Sequence, residues 1–97
     1  MKQAINSKIY DTDTAKLLAQ KVPQVVHRLS QTEVRGTLVQ LYVTAKQAYF
    51  KYEKPADDPV GVITPLTLEA AITIYNSLPT RHVDFSDAFP DAGLEEA

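Results

Sequence analysis

The chain has 97 residues, 44% of them hydrophobic, and no cysteine; this suits one modest core without staples and excludes disulfides and thiolate metal sites. No apolar run approaches the ~20 residues that cross a bilayer, and Met1 to Tyr10 lacks the hydrophobic centre of a signal peptide, so a soluble cytoplasmic protein is expected. The formal net charge of -2 hides a division: residues 1–54 carry nine Lys or Arg against four acids, and residues 55–97 carry Arg81 against eight, which suits an acidic end lying on a basic one or a basic surface for an anionic partner.

Asp11-Thr12-Asp13-Thr14 supplies a helix start, with Asp11 as acceptor for exposed amides and Asp13 at the positive end of the dipole. A helix is predicted from Thr12 to about Lys21, with Ala15, Leu17, Leu18, Ala19 and Val22 as its apolar stripe and Pro23 closing it. Gln24 to Leu29 alternates, Val25, His27 and Leu29 against Val26 and Arg28, and reads as a strand. Ser30 to Glu33 reads as a polar connection, and Gly36 marks a bulge before the next segment.

Thr37 to Glu53 is the stretch densest in β-branched and aromatic residues and reads as the hairpin at the centre of a sheet. Two registers are open. A two-residue loop at Ala45 and Lys46 sets Leu41 opposite Phe50 and Val39 opposite Tyr52, whereas a three-residue loop with Gln47 in the left-handed region sets Tyr42 opposite Phe50 and Leu41 opposite Lys51. The separation of apolar from polar side chains favours the first.

Lys54 to Pro59 reads as a loop, because it holds two prolines and the adjacent acids Asp57 and Asp58. Val60 to Ile63 is a short strand suited to an edge. A second helix is predicted from about Leu68 to Ser77, capped by Thr67, with Thr64 before Pro65 as a competing cap. Leu68, Ala71, Ile72, Tyr75 and Leu78 form its apolar face, and Pro79 ends it.

These elements compose a small α+β domain over residues 1–79. It has a short N-terminal helix, an antiparallel β-meander of three to four strands and a C-terminal helix packed on one face. Residues 80–97 form an acidic tail, docked or flexible. With one sheet face covered, the other is left polar, tail-covered or an interface, so a homodimer is open.

The chemistry-bearing residues are sparse. His27 and His82 lie on different elements with no acid at metal spacing, and Ser7, Ser30, Ser77 and Ser86 have no nucleophile-elbow pattern. No catalytic residue, metal site or cofactor is assigned. Two surfaces are candidates for a partner. In the first, Phe85 and Phe89, four apart and flanked by Asp84 and Asp87, resemble an acidic segment that folds into a partner's groove; the plainer alternative docks them on their own sheet. In the second, Tyr42 and Tyr49 with Lys46 and Lys51 would form a sheet on which bases stack while lysines follow a nucleic-acid backbone. The plainer alternative there is a cross-strand tyrosine pair over a core of Phe50 and Tyr52.

Three motifs carry a family resemblance: Lys8-Ile9-Tyr10-Asp11-Thr12-Asp13-Thr14-Ala15, then Leu41-Tyr42-Val43-Thr44 with Tyr49-Phe50, then Ile63-Thr64-Pro65-Leu66-Thr67-Leu68-Glu69-Ala70. In spacing, the chain resembles small uncharacterised proteins carried by phages, plasmids and integrative elements of Gram-positive bacteria, whose pattern runs IYDTxTA, LYxTxxGxYF and IxPLTxEEA. It departs from that pattern at Gln47, which stands for the usual turn glycine, and in lacking a glycine-rich insertion before the PLT segment. The resemblance brings no catalytic residue. It implies a protein of a mobile genetic element, and inhibition of host CRISPR nucleases is reported for some proteins of this type. The function expected is a non-enzymatic binding protein acting on a protein partner; the alternative is a nucleic-acid-binding accessory protein using the basic, Tyr-containing hairpin.

Overall fold

In the computed structural model, which describes residues 1–29 and 31–90, Asn6 and Ser7 both have positive φ, 52° and 64°. Two such residues make a type I′ turn, and they join β1 (Lys2–Ile5) to β2 (Lys8–Asp11) as a tight hairpin. Residues 12–21 then differ from the helix that their periodicity predicts. Lys16–Lys21 is a strand, β3, with a bulge between Leu17 and Ala19. The bulge explains the misleading pattern: Leu17 packs on one face of the sheet, while Leu18 and Ala19 are fully buried on the other, so apolar side chains recur without the alternation of a one-faced strand.

β4 (Gln24–Arg28) forms as expected, but the predicted polar connection after it is a strand, β5 (Gln31–Arg35). Next come β6 (Thr37–Val43) and β7 (Tyr49–Pro55), then β8 (Val62–Leu66), shifted two residues from the predicted Val60–Ile63 and at the sheet edge as expected. Helix α1 (Leu68–Ser77) has Thr67 as its cap, whose hydroxyl oxygen accepts from Ala70 N–H at 3.2 Å. β9 (Thr80–Arg81) and a single turn, α2 (Phe85–Ala88), complete the described chain. Leu94 and the acids Asp91, Glu95 and Glu96 of the expected tail lie outside the described residues, as does Ser30.

The architecture is mostly antiparallel β with two short helices, larger in strand number than the predicted meander. One five-stranded sheet runs in the order β8-β7-β6-β3-β9, and β1-β2 and β4-β5 are separate two-stranded ribbons. The order puts β3, not a helix, beside the central hairpin.

The hairpin register is the second correction. Tyr42 stands opposite Phe50, Leu41 opposite Lys51 and Val43 opposite Tyr49. Thr44 N–H donates to the Ala48 carbonyl at 2.9 Å, Gln47 N–H donates to the Thr44 carbonyl at 2.9 Å, and Gln47 takes φ 64°. This is the three-residue loop closed by a left-handed residue. Thr44 Oγ1 also accepts from Ala48 N–H at 3.1 Å, which ties the loop where glycine is absent.

That register makes both faces of the sheet apolar. On one, Leu41, Val43 and Tyr49 pack with Leu18, Ala71, Tyr75, Leu78 and Phe89. On the other, Tyr42, Phe50 and Ile63 pack with Tyr10. Phe50 is fully buried, stacked on Tyr42 with ring centres 5.1 Å apart and met edge-on by Tyr10 at 5.4 Å. Both faces are thus covered where a single covered face is expected: α1 and α2 lie over the first, the β1-β2 hairpin over part of the second. Gly61 lies where a Cβ would collide with the Tyr52 ring.

Because Gln47 pays the Cβ penalty of a left-handed backbone, Gln47→Gly is expected to stabilise the fold by about 1 kcal/mol. Urea denaturation measures it. An unchanged or lower midpoint would show that the loop tolerates glutamine without strain.

Candidate functional site

Beyond Lys21 and Val39, the β3-β6 pair loses its regular register. Val22 and Pro23 on one side face Gly36, Thr37 and Leu38 on the other before pairing resumes with Gln24 opposite Arg35. Pro23 has no N–H to donate, and Gly36 takes φ 103°, a backbone that L side chains rarely adopt. The extra residue and these two conformers kink the ribbon. β7 ends at Pro55, opposite Thr37, so the β4-β5 ribbon continues without a third strand. It stands out as an arm: the radius of gyration is 15.1 Å, against about 13 Å for a compact chain of this size.

The arm is amphipathic although it has no core to face. Val25 is paired with Val34, and His27 with Thr32, where the imidazole Nδ1 lies 3.3 Å from the Thr32 hydroxyl. Val26 pairs with Glu33 on the opposite face, where Glu33 forms an ion pair with Arg35 at 3.0 Å. Val25 and Val34 are 56% and 49% exposed, and Leu29 at the tip is fully exposed with φ 52°. An isolated two-stranded hairpin is marginal in water. Its two outer edges also leave backbone groups open to a further strand.

The residues singled out in the sequence lie elsewhere. Phe89 is 2% exposed, and it joins Phe85, Tyr75 and Tyr49 in one aromatic cluster with ring centres 5.1–5.6 Å apart. Two tyrosine hydroxyls clamp the segment: Tyr49 donates to the Ala88 carbonyl at 3.0 Å, and Tyr75 to the Val83 carbonyl at 2.7 Å. The phenylalanines therefore pack intramolecularly, over α1 and the sheet. Asp84 and Asp87 stay exposed at the start of α2, and neither forms a salt bridge with a described lysine.

The hairpin set is dispersed. Tyr42 and Tyr49 point to opposite faces and are both buried, so they form neither a cross-strand pair nor an open stacking platform. Lys51 forms an ion pair with Glu53 two residues on, and Lys46 lies in the 44–48 turn. Tyr42 donates to Gln40 Oε1 at 2.8 Å, and Gln40 Nε2 donates to Gln20 Oε1 at 3.0 Å, a chain of three side chains across β6 and β3. Burial, with Tyr52 and Asp13 nearby, pushes the Tyr42 hydroxyl above its ordinary pKa of 10.0.

The arm residues Val34 and Leu29 escape sequence reasoning for different reasons. QTEVR holds one apolar residue and no alternation, so β5 carries no strand signal of its own; only its pairing with β4 reveals it. Leu29 reads as the last residue of the alternating strand from Gln24, not as a tip. Among the described residues no group of three His, Asp or Glu could hold a metal ion, and no helix is long and apolar enough to cross a membrane. Comparison with protein-family models, with curated proteins and with solved structures gives no match.

Phe89→Ala is expected to cost about 3–5 kcal/mol, the scale of an emptied aromatic site in a core. A loss below about 1 kcal/mol in chemical denaturation would show that residues 80–90 do not contribute to the fold. The raised pKa of Tyr42 also has a signed consequence. Its contribution to stability is fully present below the unfolded-state value of about 10 and is lost as pH rises through the folded one. Tyr42→Phe should therefore lower stability at neutral pH by about 1 kcal/mol, through the lost hydrogen bond. It should also flatten the decline seen in the parent protein above pH about 10; parallel stability curves would sink this account.

Proposed function

We propose that this chain is a non-enzymatic binding protein that engages a protein partner through the β4-β5 arm. The observation that carries the reading is a ribbon with an apolar face, Val25 and Val34, and an apolar tip, Leu29, outside any core of its own. Such a ribbon gains order and buries surface when a partner covers it, and its open edges offer the backbone bonds of strand addition. The family resemblance supports reading it as a protein of a mobile genetic element whose partner is a host protein, with a host-defence protein as one class of target. The place of action moves from the acidic segment to the arm, because Phe85 and Phe89 are engaged in the core.

Val25→Thr combined with Val34→Thr keeps the β-branched shape while removing the apolar contact. These exposed changes should leave stability within about 0.5 kcal/mol. In pull-downs from a nuclease-treated lysate of a Gram-positive host, the parent chain should retain a protein that the double variant loses. Equal capture by both would remove the arm from the binding site.

A further inference from the structure

Lys2 and Lys8 on the β1-β2 hairpin and Lys46 in the 44–48 turn line one groove of about 690 Å³. Past Lys8, Tyr10 and Lys46 it continues into a second of about 380 Å³. These volumes fall in the range that takes a small ligand. Asp11 is the single acid on the lining, and among the described residues the three lysines have no ion-pair partner. Lys51 and Arg35, by contrast, each pair with a glutamate. Three ammonium groups around one acid leave a positive potential that an anion would relieve.

The walls, strand and turn alike, are held by packing and hydrogen bonds. Tyr10 is 6% exposed and held edge-on against Phe50, which fixes the strand carrying Lys8. The turn carrying Lys46 is tied by the Thr44 bonds to Ala48. Thr14 and Thr44 also line the groove. Thr44 Oγ1 accepts from Ala48 N–H and keeps its own proton to donate.

The geometry points to a second binding site: this groove takes a small ligand bearing two or more phosphate groups, held by Lys2, Lys8 and Lys46 with the Thr14 and Thr44 hydroxyls donating. Lysine serves phosphate as a mobile point charge with three donors. A nucleic-acid strand suits it less, since the nearby rings of Tyr10, Tyr42 and Tyr49 are buried and offer no face to a base,. The chain's pI of 5.6 is also far from a nucleic-acid footprint,. The groove lies at the Val43 end of β6 and the arm at the Thr37 end, so the site is independent of the arm's partner.

Titration calorimetry of the full chain with pyrophosphate at low ionic strength tests it. One saturable site is expected, weakened at least about tenfold by Lys8→Gln with Lys46→Gln. Lys51→Gln, and Val25→Thr with Val34→Thr, should leave it unchanged. Pyrophosphate should also raise the thermal midpoint of the parent chain but not of the double lysine variant, a readout that separates a lost ligand from a lost fold. The site is overturned if pyrophosphate fails to bind at millimolar concentration, or binds the double lysine variant equally. Tighter binding of a single-stranded oligonucleotide than of pyrophosphate would overturn the small-ligand assignment and give the lysines to a nucleic-acid backbone.

Discussion

The pairing of Tyr42 with Phe50 across the central hairpin is the constraint on which the rest depends. A strand's side chains alternate, so one residue of slip would move Leu41 to the Phe50 side and redirect the whole strand. In the observed register, β6 and β7 send Leu41, Val43 and Tyr49 one way and Tyr42 and Phe50 the other. A sheet apolar on both faces needs two covers. Helix α1 and the α2 turn supply the first, and the β1-β2 hairpin supplies the second through Tyr10. The left-handed Gln47 is the local means by which this register is held.

The same register ties in the chain after Pro79. Tyr49 sits on the helix side only because Val43 is its partner, and its hydroxyl there reaches the Ala88 carbonyl. Arg81 adds a second attachment. Its guanidinium lies 5.2 Å from the Tyr75 ring centre, and its Nη2 donates to the Asn76 carbonyl at 3.2 Å, close to the C-terminal end of α1 where carbonyls lack helical partners,. β9 then pairs with β3, and His82 N–H donates to the Leu18 carbonyl at 2.9 Å. Acidic character along residues 80–90 is therefore a property of the outer surface of a docked segment.

The parts legible in the sequence are those governed by local chemistry: the hairpin from Thr37 to Glu53, the Thr67 cap, the helix to Ser77 and the strand from Gln24. What was not legible is governed by pairing. Asn6 and Ser7 are turn residues flanked by Ile5 and Lys8, but so short a ribbon becomes a strand pair only because Tyr10 finds Phe50. Lys16 to Lys21 shows helical spacing because a bulge lets adjacent residues serve both faces. Leu41 opposite Phe50 is the register that a single buried face favours, and this sheet buries both. Lys2, Lys8 and Lys46 are 38 residues apart at the nearest between turn and hairpin, and only the β1-β2 cover brings them to one groove.

The arm follows from the same economy of cover. β3 ends at Lys21 and β6 begins at Thr37 opposite Pro55, the end of β7, and the chain between them carries on past Pro23 and Gly36 as the separate β4-β5 ribbon. A ribbon that merely linked two strands could be closed by a short turn at that point, without five paired positions beyond it. Pairing of Gln24–Arg28 with Gln31–Arg35 costs ordering entropy and returns little burial within the chain,. Its two faces still differ, with Val25 paired to Val34 on one and the Glu33 and Arg35 ion pair beside Val26 on the other. The exposed pair of Val25 and Val34 adds little to stability within the chain, and it is the feature on which the proposed contact rests,.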